Sequence, residues 1–208
     1  MPQRPFSADV RVNASFWLLM LLAVIVSPLT VVAAIPTAAA LPELGHLAAM
    51  RYYGVSVKRF RLTALGAELD APALARLSYG RELIITLAGV TVNLFCAILL
   101  ALLGLRTWRE WCFVFAGAHL VLAAFYLLPV VPLDGARALC LALSFFLGPA
   151  TGERITAAVS LACSLALCAL GLKLSLGLHS GWLFAFAAFG LLWGTLRQLG
   201  LARGGKSV

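Results

Sequence analysis

Charge is scarce in this sequence. Only 12% of its 208 residues are Asp, Glu, Lys or Arg, and eight are acidic. Soluble domains carry about twice that charged fraction, so an ordinary water-facing surface is excluded. Long polar segments are missing too. The longest, RYYGVSVKRFRLTALGAELDAPALARLSYG at 51–80, is too short to bury a core by itself, and no appended soluble sensor domain is expected. Paired cysteines are lacking. Cys96, Cys112, Cys140, Cys163 and Cys168 fall mostly in apolar runs, their number is odd, and no C-x-x-C occurs. That excludes a full disulfide framework and reads as small buried side chains. No internal inverted repeat is visible, which removes the main sequence argument for a small transporter or channel.

What is present is apolar. The hydrophobic fraction is 62% and the mean hydropathy +1.00. Several runs reach about twenty apolar residues, enough to cross a bilayer. The fold class is therefore an all-α polytopic membrane protein, one membrane-embedded domain over 1–208. The run from 14 to 50 is too long for one crossing, and Ser27-Pro28 is a plausible break. The spans expected are about 14–27, 29–50, 82–105, 112–128, 154–172 and 180–198, six in all. Between the second and third, VSVKRFRL is rich in strand formers and Gly66 allows a turn, which predicts a small β-hairpin at the membrane interface.

Six spans put both termini on one face. With them go Arg4, Arg11, Arg51, Lys58, Arg59, Arg61, Arg76, Arg81, Arg137, Arg154, Arg197, Arg203 and Lys206; the other face keeps Arg106, Arg109 and Lys173. The positive-inside rule then makes both termini cytoplasmic. The same rule accounts for the net charge of +8 without nucleic acid as a partner. Arg4 and Arg11 before an apolar run, with Ala38-Ala39-Ala40, imitate a signal peptide, but cleavage there would remove most of two spans. Asn13-Ala14-Ser15 matches a glycosylation acceptor and falls on the cytoplasmic face in this topology.

Ionisable groups inside apolar spans are costly and point to function. Glu43 and His46, in PELGH, share a helix face at i, i+3. Asp134, in PLDGAR, follows the fourth span and arrives at similar depth in this topology. A catalytic zinc takes about three protein ligands and an open position, and a nearby carboxylate takes the proton from its water. His46 and Asp134 are potential ligands and Glu43 a potential base. Plainer roles compete: Asp134 as a turn residue in Asp-Gly, Asn93 as an interhelical hydrogen bonder, Arg137 as a headgroup anchor.

PELGH at 42–46, AGVTVN at 88–93 and YLLPVVPLDGAR at 126–137 together resemble the site-2 protease family of intramembrane zinc metalloproteases, specifically its short sporulation-factor-like branch. Typical members read HELGH, AGPxxN and NLLPxxPLDGGR at the corresponding spans. The resemblance runs from about residue 14 to 198. It implies a zinc metalloendopeptidase that cuts membrane-embedded protein segments, with Glu43 as general base and His46 and Asp134 as zinc ligands. It further implies that Asn93 positions substrate or an oxyanion, and that Leu133, Gly135 and Arg137 shape the turn presenting Asp134. A membrane regulatory partner is consistent with the lack of a sensor domain.

The departures are Pro42 for the first ligand histidine, Tyr126 for an asparagine, Val90 for a proline and Ala136 for a glycine. Proline offers no donor atom, and two ligands fix a zinc poorly. Pro42 therefore favours a pseudoprotease that binds transmembrane segments without cutting. His119 is a candidate replacement donor, but it lies about six residues, roughly 9 Å of helix, before the end of its span.

Overall fold

A computed structural model describes residues 9–12, 29–57, 59–63, 66–70, 73–74, 77–177 and 182–204. The expected first span at 14–27, its Ser27-Pro28 break and His179 lie outside the described residues. The elements described are, in order, β1 (Asp9–Val12), α1 (Leu29–Tyr52), β2 (Arg59–Thr63), β3 (Gly66–Asp70), α2 (Tyr79–Thr107), α3 (Glu110–Tyr126), α4 (Asp134–Leu147), α5 (Pro149–Gly177) and α6 (Trp182–Gly204). The chain divides into two compact units, Met1–Phe125 and Tyr126–Val208.

In the first unit α1 packs on α2. The buried face of α1 is a stripe at four-residue spacing: Ala34, Ala38, Pro42, His46 and Met50. Small residues on such a stripe let helix backbones approach closely in an apolar setting. Gly45 sits beside the stripe, and a Cβ there would come within 2.7 Å of Val92 and 2.8 Å of the Ala88 carbonyl. The opposite face of α2 leaves Phe95, Ile98, Leu102 and Leu105 largely exposed. Exposed apolar side chains recurring at helical spacing suit lipid and not water.

The α1–α2 connection folds back on the helix ends. Met50, Val55, Val57, Leu74 and Ile85 make a buried apolar cluster, with Leu47, Ala49, Tyr53, Ala73 and Leu77 packed against it. Gly54, at φ 71°, turns the chain out of α1, a conformation open to glycine and strained for other residues. Strands β2 and β3 pair antiparallel, Arg59 opposite Asp70 and Thr63 opposite Gly66. Strand β1 adds parallel to β2, Asp9 opposite Arg59.

In the second unit α4 packs on α5 and α5 on α6. Gly148, at φ 85°, ends α4, and its N–H returns to the Ser144 carbonyl at 3.1 Å. Pro149 then starts α5 at once, a position where its missing N–H costs nothing. GPATGER is thus largely the first turn of a helix, where the sequence reading placed a connector.

Among the described residues three helices are long and apolar enough to cross a membrane: Thr30–Tyr52, Tyr79–Thr107 and Pro149–Leu176. Glu110–Tyr126 is apolar but shorter. The chain is a membrane protein with a helical core.

Candidate functional site

His46 lies on the α1 stripe and is buried. Its Nδ1 is 2.8 Å from the carbonyl oxygen of Ile85 on α2. A carbonyl can only accept, so Nδ1 carries the proton and, in the neutral ring, Nε2 carries the lone pair. Histidines that bind metals are held this way, one ring nitrogen donating to a backbone carbonyl or carboxylate and the other presented. Gly89 makes the space: a Cβ at 89 would overlap the His46 ring at Nε2. Glu43, three residues earlier, is also buried. Pro42 is among the most completely buried side chains of the protein. It occupies the position i−4 from His46 on the same stripe, the place of a second histidine in an i, i+4 ligand pair.

Asn93 is one turn beyond Gly89 on the same face of α2. It is fully buried, and its Oδ1 accepts from Nδ1 of His119 on α3 at 2.8 Å. Its amide nitrogen Nδ2 is buried without a partner. His119 is therefore committed to Asn93 through Nδ1. The sequence reading weighed His119 as a replacement metal donor and did not foresee this pairing. The signal was present, because polar residues in apolar helices usually find each other across an interface.

In the second unit Asp134 opens α4, where the helix dipole favours a carboxylate. Leu133 is buried and serves as N-cap, its N–H bonded to the Val130 carbonyl at 2.8 Å. Gly135 is buried against the preceding turn, and a Cβ there would overlap the Leu127 carbonyl. Arg137 is exposed on the first turn of α4.

Two further helices grip the turn. Val131 N–H donates to Ser160 Oγ of α5 at 2.8 Å, and Thr195 Oγ1 of α6 lies 3.0 Å from the Val131 carbonyl. Ser164 Oγ is 3.2 Å from Thr195 Oγ1 and bonds the Ser160 carbonyl at 2.7 Å. Pro132, joined to Val131 by a cis peptide, has no N–H to offer. Ser160 and Thr195 were not singled out from the sequence, where they read only as polar interruptions of apolar helices.

A scan against protein-family models finds no match to this chain, and a search of curated proteins finds none either. Among solved structures, a Site-2 Protease from Methanocaldococcus jannaschii matches with a TM-score of 0.70 at 20% identity. The match covers 95% of this chain and 93% of that one. The fold is that of a site-2 protease. At this identity the likeness is one of fold, and the chemistry depends on this chain's own side chains.

Zinc is the metal of site-2 proteases, and the donors here can be tested against it. His46 has the tautomer of a ligand, and its ring packs against Gly89. Pro42 has no donor atom in the place of its partner. No group of three or more potential metal-binding side chains occurs among the described residues. A catalytic zinc needs about three protein ligands. On α1, His46 supplies one such donor and Pro42 supplies none.

Proposed function

We propose that this chain binds a membrane-embedded protein segment on a site-2-protease scaffold and does not cut it. Pro42 carries the reading. It stands buried where the first metal donor would be, while Glu43, His46, Asn93 and the Asp134 turn remain. In this reading Glu43, His46 and Asn93 hold the shape of a binding groove in the first unit, Asn93 hydrogen-bonds the bound segment, and zinc is held weakly or not at all. The chain crosses the membrane about six times with both termini cytoplasmic, and the β2–β3 hairpin lies at the cytoplasmic interface. The motifs lie nearest the sporulation-factor-like branch.

One observation favours a second reading, a working intramembrane zinc endopeptidase. Nδ1 of His46 is tied to a backbone carbonyl, as in metal-binding histidines. The test is a single-span reporter protein co-expressed with the full chain carrying a photo-cross-linking residue at Leu94. Capture of the intact reporter is the expected result. A cut reporter, left whole by Glu43→Gln, would establish the second reading. A reporter neither captured nor cut would contradict both.

A further inference from the structure

The second unit contains a cavity of about 660 Å³ bordered on one side by the turn before Asp134, and the protease reading assigns it no ligand. It is walled by residues of α4, α5 and α6 and by the turn before α4. Its lining is mostly apolar, with Val131, Leu133, Ala136 and Ala157 among the contributors, and this size and character suit a small-molecule site. Three charged side chains also line it: Arg137, Arg154 and Glu153. Two guanidinium groups and one carboxylate thus face the same cavity.

The hydroxyls around the cavity are not equivalent. Ser160 Oγ accepts the Val131 N–H, and Thr195 Oγ1 lies 3.0 Å from both the Val131 and the Leu191 carbonyl. Buried helical hydroxyls elsewhere bond the carbonyl one turn back, as Thr86 does to Glu82 and Ser175 to Gly171. Thr156, which also lines the cavity, is buried and its Oγ1 has no partner. A buried hydroxyl without a partner is costly unless something occupies the site.

We infer that this cavity binds one anionic phospholipid. Its phosphate pairs with Arg137 and Arg154, Thr156 contributes its hydroxyl, and an acyl chain lies along the apolar wall. Basic pockets between transmembrane helices on the cytoplasmic side take anionic head groups, and guanidinium matches phosphate oxygens in bidentate geometry. The inference does not depend on metal binding or on proteolysis. Glu153 sets its specificity, disfavouring head groups of higher negative charge.

The experiment uses the full chain in lipid nanodiscs of phosphatidylcholine, with and without added phosphatidylglycerol, followed by thermal unfolding. A ligand that binds only the folded state raises the midpoint. Phosphatidylglycerol is expected to raise it by roughly 3 °C or more. Measured against the same variant's midpoint in phosphatidylcholine, Arg137→Gln with Arg154→Gln is expected to abolish that rise, and Arg137→Lys with Arg154→Lys to restore part of it. Arg106→Gln with Arg109→Gln is the control for general surface charge. An equal loss in that control would overturn the proposal, as would a parent protein indifferent to phosphatidylglycerol. An equal rise from inorganic phosphate in phosphatidylcholine would overturn it too, by assigning the pocket to a free anion. If the glutamine pair fails to fold, the lysine pair and Thr156→Val decide: an unreduced rise in Thr156→Val together with none in the lysine pair would contradict the assignment.

Discussion

Pro42 and His46 stand one turn apart on a buried stripe, and they make opposite statements. His46 is tied to Ile85 and seated over Gly89 as a ligand would be. Pro42 fills the neighbouring place with a ring that cannot bind anything. The close fit at Gly89 gives a first prediction. Gly89→Ala forces the His46 ring to move and is expected to lower stability by about 1–3 kcal/mol, the usual cost of overpacking. Thermal unfolding checks it, and an unchanged midpoint would contradict the packing described here. At this scale the sequence was highly legible for identities and poorly legible for partners. Glu43, His46, Asn93 and Asp134 stood out because ionisable or amide side chains in apolar runs are rare. The carbonyl of Ile85 and the space over Gly89 did not, since a backbone atom and a missing side chain leave no mark on composition.

The helices and turns depend on a few polar contacts between elements. Asn93 on α2 and His119 on α3 form a buried pair, and such pairs are costly to break from one side. His119→Leu is expected to destabilise by about 1–3 kcal/mol, and His119→Leu with Asn93→Leu by less than the sum of the single changes. A double-mutant cycle in denaturant measures this; strict additivity would mean the pair is not formed. The turn before α4 depends likewise on α5 and α6. Thr195→Val removes the donor to Val131 and is expected to cost about 1–2 kcal/mol, whereas Thr195→Ser keeps it. Thermal unfolding reads the same change: an unchanged midpoint in Thr195→Val would contradict the contact. The three helices long and apolar enough to cross a membrane were legible because apolar runs of this length admit few alternatives. Their ends were not. α5 begins at Pro149, five residues before the expected start, because Gly148 breaks the chain and proline suits a first turn. The parallel addition of β1 to β2 joins segments far apart in sequence, and no local pattern announces such a contact.

Over the whole molecule, scarcity of charge set the class and the distribution of charge sets the orientation. Thirteen of the sixteen basic residues fall on one face if the chain crosses six times. A fluorescent protein that matures only in the cytoplasm, fused after Val208, is therefore expected to fluoresce; a dark, fully expressed fusion would contradict the topology. Fold likeness to a site-2 protease extends over nearly the full length of both chains, and on the proposed reading Pro42 leaves that scaffold one donor short. The central claim is that this single position separates binding from cutting. Its most direct test is zinc per chain in detergent-purified protein, parent beside Pro42→His, with His46→Ala added to each. The account expects almost none in the parent and about one zinc in Pro42→His, lost again with His46→Ala. About one zinc in the parent, lost with His46→Ala, would contradict it and return the chain to the working proteases.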